Sequence, residues 1–67
     1  MVNTAKLKGK LRELSKTQAD LARFIGVAQA TMCQKLNNER PIYLDEAEKI
    51  AKFLEISDSE FGSYFFR

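Results

Sequence analysis

Leucines at positions 7, 11 and 14 are spaced four and three apart and make one apolar stripe, which predicts a helix over 4–14. Asn3 or Thr4 is its expected cap, and Lys6, Lys8, Lys10 and Arg12 fill the other faces. Gly9 falls mid-helix, where it costs up to about 1 kcal/mol relative to Ala. It either bends the helix or admits a neighbouring backbone. Leu21, Ala22 and Ile25 repeat the helical spacing and predict a second helix over 18–25. Thr17 is placed to cap it, and Asp20 suits the positive end, although a strict capping box has Glu or Gln there. Gly26 stops that helix in a left-handed turn. Val27 drops into the corner, and Met32 and Leu36 give a third helix, 28–36, its inward side. Asn37 and Asn38 tolerate the geometry that ends it, and Pro41 disfavours helix at Arg40.

The loop 37–43 is expected to be plugged into the core by Ile42 and Leu44. Ala47, Ile50, Ala51 and Leu54 predict a fourth helix over 44–55. Asp45, Glu46, Glu48, Lys49, Lys52 and Glu55 should face water, with Glu48 and Lys52 as an i,i+4 pair. Ser57 and Glu60 form a capping-box pattern before a last helix over 58–65. Phe61 and Phe65 are its expected core pair, which leaves Tyr64 and Phe66 near the surface as a candidate dimer interface, unless the tail folds back and all four aromatics pack within the chain. Phe24 falls off the main stripe and is expected half-buried on the first helix or the C-terminal segment. The pattern as a whole predicts an all-α fold, a compact five-helix bundle in one domain, residues 1–67.

Composition narrows the chemistry. The 67 residues include one Cys and no His, which excludes an internal disulfide framework, Cys/His zinc sites, and Cys–His or Ser–His catalysis. No carboxylate pair or glycine-rich phosphate loop is evident, so neither an enzyme nor a cofactor is expected. No signal-peptide core or membrane-span run occurs, so a cytoplasmic protein is expected. The net charge of +2 says little, but its distribution says more. Residues 1–40 carry eight Lys/Arg and three acids, whereas residues 41–67 carry three Lys/Arg and six acids. The basic half contains the second and third helices, as expected of a polyanion-facing surface with a separate back. The outward residues of the third helix are Gln29, Ala30, Cys33, Gln34 and Asn37, none of them charged. Gln and Asn can pair bidentately with adenine in a major groove.

The pattern Gln18-x-x-x-Ala22-x-x-x-Gly26-Val27-x-x-x-x-Met32 resembles the helix-turn-helix of the Cro and phage-repressor (XRE-like) family. The run Lys35-Leu36-Asn37-Asn38-Glu39-Arg40-Pro41, followed by Leu44-Asp45-Glu46-Ala47, is similar to small phage regulators of that family. The resemblance spans about residues 4–61. It implies a lambda-repressor-like fold, with Ala22 letting two helices cross closely and Gly26 making the turn. Two positions depart from the pattern. Ala28 stands where the family usually has a Ser or Thr cap, a loss of about 1 kcal/mol. Lys35 stands where an apolar or aromatic anchor is common, which leaves the rotation of the last turn open between Lys35 and Leu36.

The resemblance implies a sequence-specific regulator of transcription that binds double-stranded operator DNA. Gln29, Ala30 and Gln34 would touch base edges. Gln18, Thr31, Lys35, Asn37, Asn38 and Arg40 would touch the phosphate backbone, Arg40 foremost. One reading helix covers few base pairs, so a homodimer on a pseudo-palindrome is expected, acting as a Cro-like phage or prophage repressor by promoter occlusion. The Met1 start favours this over a piece excised from a longer repressor. The alternative is a small helical protein-binding module, such as an antirepressor or an antitoxin-type partner, for which the aromatic tail speaks. Cys33, on the third helix, could tune binding through its oxidation state, but a half-buried cysteine without such a role is the expected reading.

Overall fold

The computed structural model describes residues 2–66. Five α-helices follow in order: α1 Thr4–Glu13, α2 Gln18–Ile25, α3 Gln29–Leu36, α4 Leu44–Phe53 and α5 Asp58–Phe65. No strand occurs among the described residues. α2 packs against α3 and α4, and α1 packs against α3 and α5. Leu7, Leu21, Met32, Leu36, Ile50 and Leu54 are fully enclosed at the centre. They come from α1 to α4, from the stripes that the spacing predicts, and Leu54 directly follows α4. The N-terminal segment is tied to the last helix by the Asn3 N–H, which donates to the Tyr64 carbonyl at 2.8 Å.

The helix ends explain the boundaries. Asn3 caps α1 by accepting from the Lys6 N–H. Thr17 and Asp20 form a complete reciprocal box, because the shorter aspartate still reaches the Thr17 N–H at 3.0 Å. α1, α3 and α4 each end on a non-glycine residue in the left-handed region: Ser15, Asn38 and Glu55. The next residue then bonds back to the helix: Lys16 to the Leu11 carbonyl, Glu39 to Gln34 and Ile56 to Ala51, all at 2.9 Å. These closures satisfy carbonyls that the helix ends would otherwise leave bare. Lys16 closes α4 further, donating to the Phe53 carbonyl at 2.7 Å while lying 4.3 Å from the Phe53 ring centre.

Several expectations are corrected. Tyr64 is buried (7 % exposed), with the Lys6 ammonium over its ring at 4.6 Å, so it does not lie near the surface. Its side chain points toward α1, the neighbour that α5 packs against. Leu44 is 61 % exposed, so only Ile42 packs the loop onto the core. Phe24 stacks on Phe53 of α4, ring centres 4.9 Å apart, and not on α1 or the C-terminal segment. Glu46 turns inward instead of facing water, and Glu48 and Lys52 form no ion pair. The Ser57 hydroxyl turns to the Glu60 carboxylate at 3.1 Å and does not cap α5. α1 runs unbroken through Gly9, and a Cβ there would meet nothing within 4 Å, so neither a bend nor a close backbone explains that glycine.

Candidate functional site

The corner between α2 and α3 follows directly from its residues. Gly26 takes φ +91°, which a side chain would strain. The N–H groups of Gly26 and Val27 both donate to the Ala22 carbonyl, at 2.8 and 3.0 Å. Ala22 is itself buried at the helix contact, where a larger side chain would push α2 from its neighbours. Ala28 precedes α3 and offers no side-chain cap, so the first N–H groups of α3 stay open toward solvent.

α3 divides cleanly. Met32, Lys35 and Leu36 are buried, while Gln29, Ala30 and Cys33 are exposed and Thr31 and Gln34 are half-buried. The outward residues carry no charge. Among the described residues, the side chains of Gln18, Gln29, Thr31, Gln34, Arg12 and Arg40 make no intramolecular hydrogen bond. Most other polar side chains near these helices are committed to partners. α3 thus presents Gln29, Thr31 and Gln34 with their bonding capacity unused, beside Cys33, whose sulfur accepts from the Asn37 amide at 3.5 Å.

The remaining candidates are placed unevenly. Gln18 lies at the start of α2, beside Lys8, Arg12 and Lys16 in one shallow depression floored by Leu11. Asn37 is exposed, but its oxygen already accepts from the Lys8 ammonium at 2.7 Å. Asn38 is exposed in left-handed backbone, its amide 3.4 Å from the Thr4 hydroxyl. Arg40 is exposed on the loop after α3. Lys35 is the clear correction. It is only 6 % exposed, and its ammonium bonds Glu46 at 2.9 Å and the Pro41 carbonyl at 3.0 Å, so it cannot serve a phosphate. Lys35 and Leu36 both turn inward, because Glu46 supplies the partner that a buried ammonium requires.

Sequence reasoning missed Lys8 and Arg12 as members of this surface. Their i,i+4 spacing put them on one face of α1, and that was the available signal. What it lacked was the packing of α1 on α3, which brings that face beside Gln18 and Asn37. Lys16 belongs to the same depression but is held by α4. At the α2 cap, the Thr17 backbone N–H and then its hydroxyl hold the Asp20 carboxyl below its ordinary range, with Arg23 adding to the effect. An acid beside this basic edge therefore stays ionised and caps the helix.

A second surface lies on α4 and α5. Leu44, Ala51, Ile56 and Phe61 line one depression, rimmed by Glu48, Lys52 and Asp58. Val2, Ile42, Phe65 and Phe66 line another, beside Arg40. The rings of Phe61 and Phe66, 5.8 Å apart, join the two into one apolar seam, and Phe66 is 63 % exposed. Among the described residues, no group of three His, Cys, Asp or Glu could hold a metal ion, and no helix is long and apolar enough to cross a membrane.

These features define an all-α five-helix protein with an uncharged amide-bearing helix face and an apolar seam. The chain belongs to the family of proteins of unknown function DUF739, which it matches over residues 2–67. None of the curated proteins compared with it matches.

Proposed function

We propose that the chain is a sequence-specific double-stranded DNA-binding regulator, with α2 and α3 as a helix-turn-helix of the Cro and phage-repressor kind. The observation that carries this reading is the outward face of α3: uncharged side chains, of which Gln29, Thr31 and Gln34 make no hydrogen bond within the described residues, with Lys8 bonded at the Asn37 end and Arg40 exposed on the loop that follows. A face meant only for solvent has no need to exclude charge, whereas base edges are read by such groups. Gln29, Ala30 and Gln34 would read bases. Gln18, Thr31, Asn38 and Arg40, joined by Lys8 and Arg12, would hold phosphates, and Asn37 would act beside Lys8. Two copies, meeting through the seam around Phe66, would read two half-sites about 34 Å apart, and occlusion of a promoter is the simplest output.

A second reading, a helical protein-binding module such as an antirepressor or antitoxin-type partner, draws on the same exposed seam. Selection of bound duplexes from a random DNA pool near physiological salt separates the two. An inverted repeat is the expected product. A single half-site would retain DNA binding and remove the dimer. No enrichment, with only weak salt-sensitive retention, would reject the DNA reading and favour the protein partner.

A further inference from the structure

We propose that Lys35 and Glu46 are positioning residues for Arg40, a buried ion pair that fixes the 37–43 loop in register with α3. The functional consequence rests on the DNA-binding reading, while the geometry stands without it. The Lys35 ammonium bonds Glu46 Oε1 at 2.9 Å and the Pro41 carbonyl at 3.0 Å, and it lies 5.3 Å from the centre of the Tyr43 ring. Glu46 Oε1 also accepts the Tyr43 N–H at 3.0 Å. One pair of side chains thereby joins the last turn of α3, the backbone of the loop and the first turn of α4.

The other side of Arg40 is tied as well. The Glu39 N–H donates to the Gln34 carbonyl at 2.9 Å, and the Asn38 N–H to the Lys35 carbonyl at 3.3 Å. Both neighbours of Arg40 are therefore bonded to α3, one through its backbone and one through Lys35. Arg40 itself is exposed, and its side chain makes no bond among the described residues. A buried ion pair is weak evidence for stability, since apolar residues of similar volume usually serve as well. An apolar pair, however, could not select the Pro41 carbonyl. Directional bonds to that atom set where the Arg40 Cα stands, and a pre-set cation loses less freedom when it meets a phosphate.

Amide ¹⁵N relaxation of the wild-type chain is the first test. The amides of residues 38–40, 42 and 43 should be as ordered as the helices, and a mobile loop would overturn the proposal. Hydrogen exchange in Lys35→Met and Glu46→Gln follows. The hydrogen-bonded amides of Asn38, Glu39 and Tyr43 should exchange about tenfold faster while those of α1 and α2 keep their rates. Unchanged loop exchange in both folded variants would also overturn it, and if neither folds, the wild-type relaxation decides. On a selected duplex, Arg40→Ala should weaken the wild type about tenfold but the Lys35→Met background less than about twofold, because neighbours that act together are not additive. Lys35→Arg, which keeps the cation, should restore the dependence on Arg40. Additive losses would refute positioning. If the wild type binds no duplex, the DNA reading fails alone, and the relaxation and exchange results still decide the lock.

Discussion

The α3 face and the α4–α5 seam are both exposed, yet they are built from opposite materials. The first offers Gln29, Ala30, Cys33 and Gln34, with Lys8 and Arg12 near its edges. The second offers Leu44, Phe61 and Phe66, with Glu48, Lys52 and Asp58 on its rim. A polyanion would be favoured by the basic edge of the first, whereas the rim of the second is of mixed charge. Apolar burial stabilises contacts at the second and contributes little at the first. Both faces grow from one core, so a single core can offer different chemistry in two directions. Arg40 is where they meet, at the end of α3 and beside the Phe66 depression.

The largest way to break the comparison is to remove what the faces share. Leu36 is fully enclosed under α3. Leu36→Ala should cost about 2–5 kcal/mol, read by urea unfolding, and both faces should lose activity together. Gln34→Ala should separate them. It should cost about 1–3 kcal/mol of DNA affinity and relax one position of the selected site, with self-association unchanged in sedimentation. Phe66→Ser should do the reverse, weakening self-association by about 1–2 kcal/mol while the unfolding midpoint hardly moves. A midpoint that fell sharply would mean Phe66 serves the monomer's core.

Two smaller changes sharpen the comparison by leaving both faces intact. Gly9→Ala should stabilise the fold by about 0.5–1 kcal/mol, since the helix is regular there and the added methyl meets nothing. Thermal unfolding checks it, and a loss of stability would mean that α1 needs the glycine for a contact not seen here. Asp20 gives the smallest effect. Its carboxyl is held below its ordinary value by Thr17, so it favours the folded state at pH above the unfolded value. That contribution should fade as pH falls through the lowered folded value. Asp20→Asn should flatten this acid limb, measured as the helix content of the chain against pH.

The sequence was legible wherever a residue's role depends on neighbours a turn or two away. Leu7, Leu11, Leu21, Ala22, Met32, Leu36, Ala47, Ile50, Ala51 and Leu54 are buried as the spacing required, while Leu14 and Ile25, the last members of their stripes, are only partly buried. Gly26 had to make the turn because no other residue takes that φ without strain. The exposed row Gln29, Ala30 and Cys33 followed from the same periodicity. Caps were less secure: the Ser57 hydroxyl lies against Glu60 and Ser59 and leaves α5 without a side-chain cap.

Tertiary structure alone decided the fate of residues whose partners are distant in the chain. Lys35 reads as a surface cation by residue type, and only the approach of α4 supplies Glu46, eleven residues away, to bury it. Tyr64 reads as surplus aromatic area until α1 places Lys6 over its ring. Lys8 becomes part of the α3 surface only because α1 crosses that helix and meets Asn37. Helical periodicity is local, set by 3.6 residues per turn, so it fixes which side of each helix is apolar. Which charge meets which across the bundle depends on how the helices cross, and that is settled by packing of the whole core.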